Sequence, residues 1–329
     1  MPEVVVVSTP GSRIYVRDGV VYVKPRDGDE LALSADVDLL VVATGAVSVS
    51  GRALRRLAEL GVRLLVLGHR GHVVAELRPI DRINKTVEAR LAQLRAKVEG
   101  WGLGYAAEMV RAKIVNQARL LRYLAKSRRE PWLRDEAYRV EDEALELERL
   151  LRSRVLAAEN IRLHEAKAAR TYWQALAALL PADYGFTGRD PRGSDPVNMA
   201  LSYGYAILYG VTHDALVVAG LDPYAGFLHT DRSGKMSLVF DYSDMFKPVA
   251  VDKALFTSHE PGLFDLYGGS LSYSARRGIA ERVLKALSAP VRDGEYRRRP
   301  LRDHVYSYAW SLAEALRSQG SYRAFTVVF

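Results

Sequence analysis

The sequence predicts an α+β protein, with an N-terminal β-rich domain followed by a larger, mainly α-helical domain. Two patterns support this class: short β-rich segments separated by Gly, Pro and Asp fill residues 1–78, and long stretches rich in Ala, Leu, Arg and Glu follow Pro79. The length of 329 residues also exceeds the roughly 100 to 200 residues of a typical domain. We therefore predict two domains, residues 1–78 and residues 79–329.

The N-terminal domain is predicted to consist of strands in quick succession, because each β-rich segment is bounded by turn-forming residues. Residues 51–61 interrupt the strands with the apolar spacing of a helix and end on glycine. Strand-like patterns then return in the segments VRLLVLG and HVVAEL. The strands predicted before the helix cover residues 4–7, 13–16, 20–23, 30–33 and 39–43.

The C-terminal domain is predicted to begin with three long helical stretches that contain almost no Gly or Pro. They cover residues 82–99, 106–127 and 132–172. The third stretch contains the charged run EDEALELERLLRSR, in which Glu and Arg recur at helical spacing. Such a run is typical of a solvated helix face.

Turn signals divide the rest of the helical domain. Asp195 followed by Pro196 is a helix start signal, with Asp as the N-cap and Pro at the first helical position, and it predicts a helix over residues 197–209. A second break at residues 221–237 contains short strand-like pieces, and helices return near Asp241.

Composition and charge favour a polyanionic partner. With 49% hydrophobic and 26% charged residues, the chain has the composition of a globular protein, which excludes disordered and fibrous classes. The net charge is +8, and 37 of the 47 cationic residues are Arg, whose planar guanidinium suits phosphate recognition. Residues 1–78 contain 10 basic and 9 acidic residues, so +7 of the +8 falls on residues 79–329. Nucleic acid is therefore a candidate partner of the helical domain.

Cysteine is absent, which excludes disulfides, cysteine-based zinc sites and thiol catalysis. A metal site in this chain therefore has to use His, Asp or Glu. No run reaches the roughly 18 apolar residues of a membrane span, and no secretory signal pattern is present. We expect a cytoplasmic protein with no membrane partner.

His229 stands out among the seven histidines because two carboxylates follow it closely. It ends the apolar run AGFLHT at a strand-like edge, and Asp241 and Asp244 lie twelve and fifteen residues later. The i, i+3 spacing places both acids on one side of the first turn of a helix, which is predicted to follow a strand SLVF. The pair offers oxygen ligands to a cation, or else it only caps that helix, with Asp241 as the N-cap.

Glu165 is the second candidate, within HEAKAARTYWQAL. It shares a helical face with Ala168, Tyr172 and Trp173, and a face of small and aromatic residues suggests burial. A buried carboxylate is costly unless it is paired or binds a metal. The alternative is an edge position from which Glu165 reaches water. Neighbouring His164 points about 100° away around the helix, so it is a poor co-ligand of Glu165.

A Glu, a His and an Asp from three elements would form an oxygen-rich site suited to Mn²⁺ or Mg²⁺. Such a site beside an Arg-rich surface suits phosphoryl transfer, because the metal neutralises charge on a phosphodiester and activates an attacking oxygen. Lys247, three residues after Asp244, can contact phosphate from the same face, although a lone Lys is more often an ordinary surface residue.

Six blocks of this sequence match a known family in order and spacing, and together they cover nearly the whole chain. They are VSVSGRALRRLAELGVRLLVLGHRG, KIVNQARLLR, HEAKAARTYW, DPVNMALSYGYAILYGVTH, LDPYAGFLHT and SLVFDYSDMFKP. With these blocks the sequence resembles the CRISPR-associated integrase of the spacer-acquisition complex, the metal-dependent DNA endonuclease of CRISPR adaptation.

The resemblance implies a catalytic helical domain and an N-terminal domain that forms a homodimer. It implies that Glu165, His229 and Asp244 are catalytic metal ligands for Mn²⁺ or Mg²⁺, and that Asp241 supports them or caps the helix. Double-stranded and branched DNA are the implied substrates, and a small dimeric adaptation protein is the implied partner. The residues expected to position DNA are Asn198, Ser202, Tyr205 and Lys247.

The implied reaction is a transesterification in which a 3′-hydroxyl of incoming DNA attacks a phosphodiester of the CRISPR repeat and a 3′-oxygen leaves. Water in place of the hydroxyl gives nuclease activity. One phosphodiester replaces another, so no ATP is required, in agreement with the absence of a GxxxxGK[ST] loop.

Two alternatives remain open at this point. In the first, the chain is a non-catalytic basic nucleic-acid-binding module whose acids only cap helices; a carboxylate such as Glu165 on an apolar face argues against it. In the second, the chain is a metal-dependent hydrolase of a small phosphate substrate; the Arg excess and the large helical domain argue against that.

Overall fold

The computed structural model describes residues 3–68, 73–77, 79, 87–153, 156–229, 234–258 and 260–329. A strand-rich N-terminal region and a mainly helical C-terminal part confirm the predicted α+β class. Residue 78 and the start of the helix predicted at residue 82 lie outside the described residues. The division into domains 1–78 and 79–329 stays a prediction.

The described N-terminal region contains two four-stranded sheets and a helix. The elements are β1 (Glu3–Val7), β2 (Ser12–Arg17), β3 (Val20–Lys24), β4 (Leu31–Ala32), β5 (Val37–Val42), β6 (Val47–Val49), α1 (Gly51–Glu59), β7 (Arg63–Leu67) and β8 (Val73–Leu77). One sheet has the order β1-β5-β7-β8 and is parallel except for the β7–β8 pair. The other has the order β4-β3-β2-β6 and is antiparallel except for the β2–β6 pair.

Strand β5 is buried on both faces, which explains its unbroken apolar sequence. Leu40 and Val42 pack into a core shared by the two sheets and α1, whereas Leu39 and Val41 belong to the large core of the helical part. This alternation follows from the two-residue period of a strand. The first sheet therefore lies between the second sheet and the helices.

The C-terminal part is built mainly of helices. The helices are α2 (Glu88–Val98), α3 (Gly102–Ser127), α4 (Leu133–Ser153), α5 (Ala158–Ala177), α6 (Pro196–Val218), α7 (Ser237–Ser243), α8 (Lys253–Phe256), α9 (Tyr273–Ser288) and α10 (Leu301–Ser318). The strands are β9 (Leu266–Tyr267), β10 (Ser270–Leu271), β11 (Pro290–Asp293), β12 (Arg298–Pro300) and β13 (Val327–Val328). Helices α3 and α6 are buried along most of their length. Asp195 caps α6 by accepting a hydrogen bond from the Asn198 amide at 2.8 Å.

Two predicted helix extents were wrong. The stretch 132–172 is not one helix: α4 ends at Ser153 and α5 begins at Ala158, preceded by the extended residue Ala157. The segment contains no Gly or Pro, so the sequence carries no stop signal of the kind that marks helix ends. The start of α6 was predicted correctly, but the helix continues to Val218 rather than ending at residue 209.

The predicted strand SLVF is also wrong, because Ser237–Ser243 forms helix α7. Leu238, Val239 and Tyr242 are all fully buried, and a short apolar run buried on every side has no periodicity that separates strand from helix. Asp241 therefore lies inside α7 and is not its N-cap. The described chain before His229 is a bend rather than a strand edge.

A π-helical turn, Pro248–Asp252, follows α7 and leads into α8. Turns of this type occur often at functional sites. No helix within the described ranges is long and apolar enough to cross a membrane.

A buried polar network joins the first sheet to the helices. Arg63 on β7, only 5% exposed, forms an ion pair with Asp214 of α6 at 3.0 Å and donates to the Tyr306 hydroxyl of α10 at 3.2 Å. Tyr306 in turn donates to Asp214. A buried ion pair of this kind requires a fixed geometry, so it sets how the sheet meets α6 and α10.

Candidate active site

One cavity of about 290 Å³ brings together the residues singled out from the sequence. Glu165 of α5, His229 of the loop after α6, and Asp244 and Lys247 after α7 all line it, although they are scattered over more than 80 residues of the chain. Helices α3 and α6 form much of the remaining wall, through residues that include Lys113, Gln117 and Tyr205.

Lys113 of α3 connects two of the candidate ligands. Its Nζ lies 2.6 Å from Oε1 of Glu165 and 2.7 Å from Oδ2 of Asp244. Burial disfavours its charged form, but the two carboxylates outweigh burial and raise the pKa of Lys113 above its usual value. The group is therefore a permanent ammonium between two carboxylates.

Asp244 is held ionised by two cations. Its side chain is 6% exposed, and its Oδ1 accepts from Lys247 Nζ at 2.5 Å. Burial favours the neutral acid, but Lys113 and then Lys247 reverse that effect and hold the pKa of Asp244 well below its usual range. Glu165 is less buried than Asp244, with 20% of its side chain exposed. It pairs with Lys113, so the structure is closer to the predicted paired carboxylate than to the alternative in which Glu165 only reaches water.

Asp241 organises the loop that carries His229. Its carboxylate accepts hydrogen bonds from the backbone amides of Phe227, Leu228 and His229 at 2.6 to 3.0 Å. The same carboxylate lies 2.5 Å from Nδ1 of the His229 imidazole. A carboxylate on one ring nitrogen fixes the orientation of the ring and leaves the other nitrogen for a ligand.

The donor set at this cavity fits a divalent cation. Two carboxylates already share one positive charge, that of Lys113, and an imidazole lines the same cavity. Oε1 of Gln117, one turn after Lys113, is buried without a hydrogen-bond partner in the described structure. Within the described residues, no three His, Asp or Glu side chains already stand close enough to hold a metal ion. The Lys113 nitrogen lies between Glu165 and Asp244.

Comparison with known proteins identifies the family. The family model described as CRISPR associated protein Cas1 matches residues 5–265. The chain belongs to the Cas1 family. The motif blocks had pointed to the same CRISPR-associated adaptation protein, so that prediction is confirmed.

Individual relatives and solved structures match nearly the full length of this chain. The chain is 59% identical to the CRISPR-associated endonuclease Cas1 of Hyperthermus butylicus over 99% of each chain. A solved structure described as "Casposase bound to integration product" has the same fold, with a TM-score of 0.81, 21% identity, and 98% and 93% of the two chains covered. A structure described as "Cas6-RT-Cas1--Cas2 complex" gives a TM-score of 0.74 at 19% identity and covers 99% of this chain and 36% of that one.

Three of the residues that the Cas1 resemblance assigned to DNA are engaged within the protein. Asn198 is 2% exposed; its Oδ1 accepts from Arg189 and from the Asp190 amide, and its Nδ2 donates to the Asp195 carboxylate. Ser202 accepts from Arg189 at 3.0 Å. Tyr205 is 4% exposed and donates to Asp252. Asn198 and Ser202 thus hold Arg189 at the cavity, where its guanidinium lies over the Tyr205 ring.

Lys113, Arg189 and Asp252 line the cavity and were not identified from the sequence. Lys113 lies in the block KIVNQARLLR, where it is a single cation between Ala112 and Ile114, both fully buried. A cation between two buried positions of a helix was the sequence feature that could have identified Lys113. Its partners, 52 and 131 residues away, are visible only in the fold.

Proposed function

We propose that this Cas1 family member is a metal-dependent DNA endonuclease and integrase that inserts new spacers into a CRISPR array. A 3′-hydroxyl of incoming DNA attacks a phosphodiester of the repeat, and a 3′-oxygen departs. The names of the endonuclease relative and of the casposase with its integration product support this activity.

The observation that carries the proposal is the pair of carboxylates, Glu165 and Asp244, that share one buried cation. Burying acids is costly, and a protein that only bound a polyanion would gain nothing from them at its basic surface. A site that handles a phosphodiester beside a cation does need them.

In this proposal Glu165, His229 and Asp244 are the residues that would hold Mn²⁺ or Mg²⁺. When bound, the metal supplies charge neutralisation at the phosphodiester and activation of the attacking oxygen. Lys113 competes with a metal for the two carboxylates and keeps them compensated without one. Asp241 keeps the His229 imidazole oriented towards the cavity.

The cavity also offers cationic donors to DNA. Lys247 and Arg189 both line it and both lie against the face of Tyr205, with 4.9 Å from Lys247 Nζ and 5.4 Å from the Arg189 guanidinium carbon to the ring centroid. A planar guanidinium and an ammonium suit two oxygens of one phosphate group. In this proposal Lys247 contacts DNA directly, and Asn198, Ser202 and Tyr205 act on DNA through the cations they hold.

The proposed assembly includes a homodimer formed by residues 1–78 and a small dimeric adaptation partner. The substrates are double-stranded and branched DNA. The solved Cas6-RT-Cas1--Cas2 complex, in which a Cas1 chain is assembled with Cas2, supports a partner of this kind. The net charge of +8 supports the DNA substrate.

The alternative is a non-catalytic nucleic-acid-binding module, and substitutions in the cavity separate the two functions. We expect Glu165→Ala or His229→Ala to abolish strand transfer and nuclease activity in a labelled DNA assay, because each removes a ligand, while DNA affinity stays within about threefold. Glu146 of α4 pairs with Arg149 and does not line the cavity, so Glu146→Ala provides the control.

Strand transfer at the wild-type rate by either cavity variant would show that the assignment is wrong. DNA binding by a wild-type protein that never joins or cuts DNA would favour the binding module. Affinity that does not fall as salt rises would favour a small phosphate substrate, since contacts to DNA phosphates release counterions.

A further inference from the structure

Asp252 is a buried acid at the edge of the cavity. It ends the π-helical turn and is 1% exposed. Its two oxygens accept hydrogen bonds from two phenols, Tyr205 at 2.6 Å and Tyr172 at 2.7 Å. In the described part of the chain, no Lys or Arg nitrogen lies within ion-pair distance of this carboxylate.

A negative charge on Asp252 does not stabilise the fold at this buried position. Burial, the largest effect, raises the pKa of Asp252 to about 6, although both phenols and the nearby cations oppose it. A folded-state pKa above the usual value for an Asp means that the charged form of Asp252 is buried at a cost in stability. An uncharged residue of the same shape would be buried more cheaply.

Tyr205 links Asp252 to the cations of the cavity. Its hydroxyl is held by Asp252, while its ring face is covered by the Lys247 ammonium and the Arg189 guanidinium. Lys247 in turn forms the ion pair with Asp244. A cation over an aromatic face is attracted by the ring quadrupole, so fixing the ring also fixes the cations. The anion itself attracts both cations through space.

Tyr172 provides a contrast at the same carboxylate. It is fully buried in α5, packs edge-to-face on Trp173, and donates to the other oxygen of Asp252. No cation within the described residues lies over the Tyr172 ring. A purely structural role for Asp252 would use both phenols equally, whereas a role in the cavity depends on Tyr205 alone.

We propose that Asp252 is a positioning residue for phosphodiester exchange: it anchors Tyr205 and thereby sets where Lys247 and Arg189 meet the phosphate. The inference rests on the proposed function, since it concerns the same reaction. Asp252 accepts its hydrogen bonds from Tyr205 and Tyr172 and not from Glu165, His229 or Asp244, so in this proposal it acts through the ring of Tyr205.

The test compares Asp252→Asn, Tyr205→Phe and Tyr172→Phe in a labelled strand-transfer assay, with kcat and the KM for DNA measured separately, and with thermal unfolding. Asp252→Asn is expected to keep or raise the melting temperature while its kcat falls about tenfold or more, because misplaced groups slow a positioned reaction. Tyr205→Phe is expected to lose activity similarly, and Tyr172→Phe to stay within about threefold of the wild type.

The double variant Asp252→Asn with Tyr205→Phe is expected to be no slower than the slower single variant, because both changes break one link. Wild-type kcat in Asp252→Asn overturns the inference. Activity losses that follow the melting temperature equally in all three variants also overturn it. If Asp252→Asn does not fold, the contrast between the two Tyr variants decides. A wild-type protein with no strand transfer overturns the proposed function and this inference together.

Discussion

At the scale of single residues, the cavity is a balanced set of charges. Glu165 and Asp244 supply two negative charges and Lys113 and Lys247 two positive ones. Lys113 contacts both carboxylates, whereas Lys247 contacts Asp244. A buried charge that loses its partner is strongly destabilising, so Lys113 stabilises the two carboxylates when no metal is bound.

This balance makes Lys113 the residue that reports on cation binding. We expect Lys113→Met to lower the free energy of unfolding by about 2 to 4 kcal/mol in chelator, because Glu165 loses its cation and buried Asp244 keeps only Lys247. Mn²⁺ is expected to raise the melting temperature of Lys113→Met more than that of the wild type, because the metal no longer competes with the ammonium.

The control is Lys126→Met, at an exposed position on the same helix α3. It removes the same charge from the surface and is expected to leave both stability and the Mn²⁺ response unchanged. Thermal unfolding with Mn²⁺ or chelator measures the effect. Equal Mn²⁺ shifts in the wild type and Lys113→Met would show that the ammonium and a metal do not share a position.

At the scale of elements, helix α6 forms part of the cavity wall and packs very closely against its neighbours. A Cβ at Gly204 would lie 2.6 Å from Cγ1 of Val251 in the π-helical turn. A Cβ at Gly210 would lie 2.4 Å from Cδ1 of Leu65 on β7. Glycine at these positions lets α6 pack at once against the turn that carries Asp252 and against the first sheet.

The Gly204 contact can be tested with one methyl group. We expect Gly204→Ala to lower the free energy of unfolding by about 1 to 3 kcal/mol, because Val251 is fully buried and has no room to move. A Cβ at Gly104 on α3 would meet no atom within 4 Å, so Gly104→Ala is expected to be neutral or to stabilise by up to about 1 kcal/mol. Urea unfolding compares the two, and equal effects would contradict the packing argument.

The elements also show where sequence patterns succeed. The strands of the N-terminal region other than β6, and the Asp195–Pro196 start of α6, were predicted because turn and cap residues act locally. Helix α7 was mistaken for a strand because every side of it is buried. For the same reason the capping role left open for Asp241 is wrong, and Asp241 instead accepts from the His229 loop twelve residues earlier in the chain.

At the scale of the whole molecule, the cavity exists only because distant segments converge. The sequence predicted the three candidate ligands through the family resemblance, and the fold places all three on one cavity. Lys113 and Arg189, which compensate and extend the site, were missed because their contacts depend on α3 and on the loop before α6. Such long-range pairs leave no periodic pattern in a single sequence.

The overall charge has a location as well. Of the net +8, +7 lies on residues 79–329, the part that carries the cavity. The cavity therefore places negatively charged carboxylates within the part of the chain that has a positive net charge. That combination favours a polyanion beside a cation, which is the arrangement that phosphodiester exchange requires.

The most direct test of this account is strand transfer by the wild-type protein on a labelled branched DNA, in Mn²⁺, in Mg²⁺ and in chelator. We expect joined product with either metal, no product in chelator, and recovery when Mn²⁺ is added back, because the carboxylates need the cation to act on a phosphodiester. Joining in chelator at the rate seen with Mn²⁺ would contradict a metal-dependent site at Glu165, His229 and Asp244.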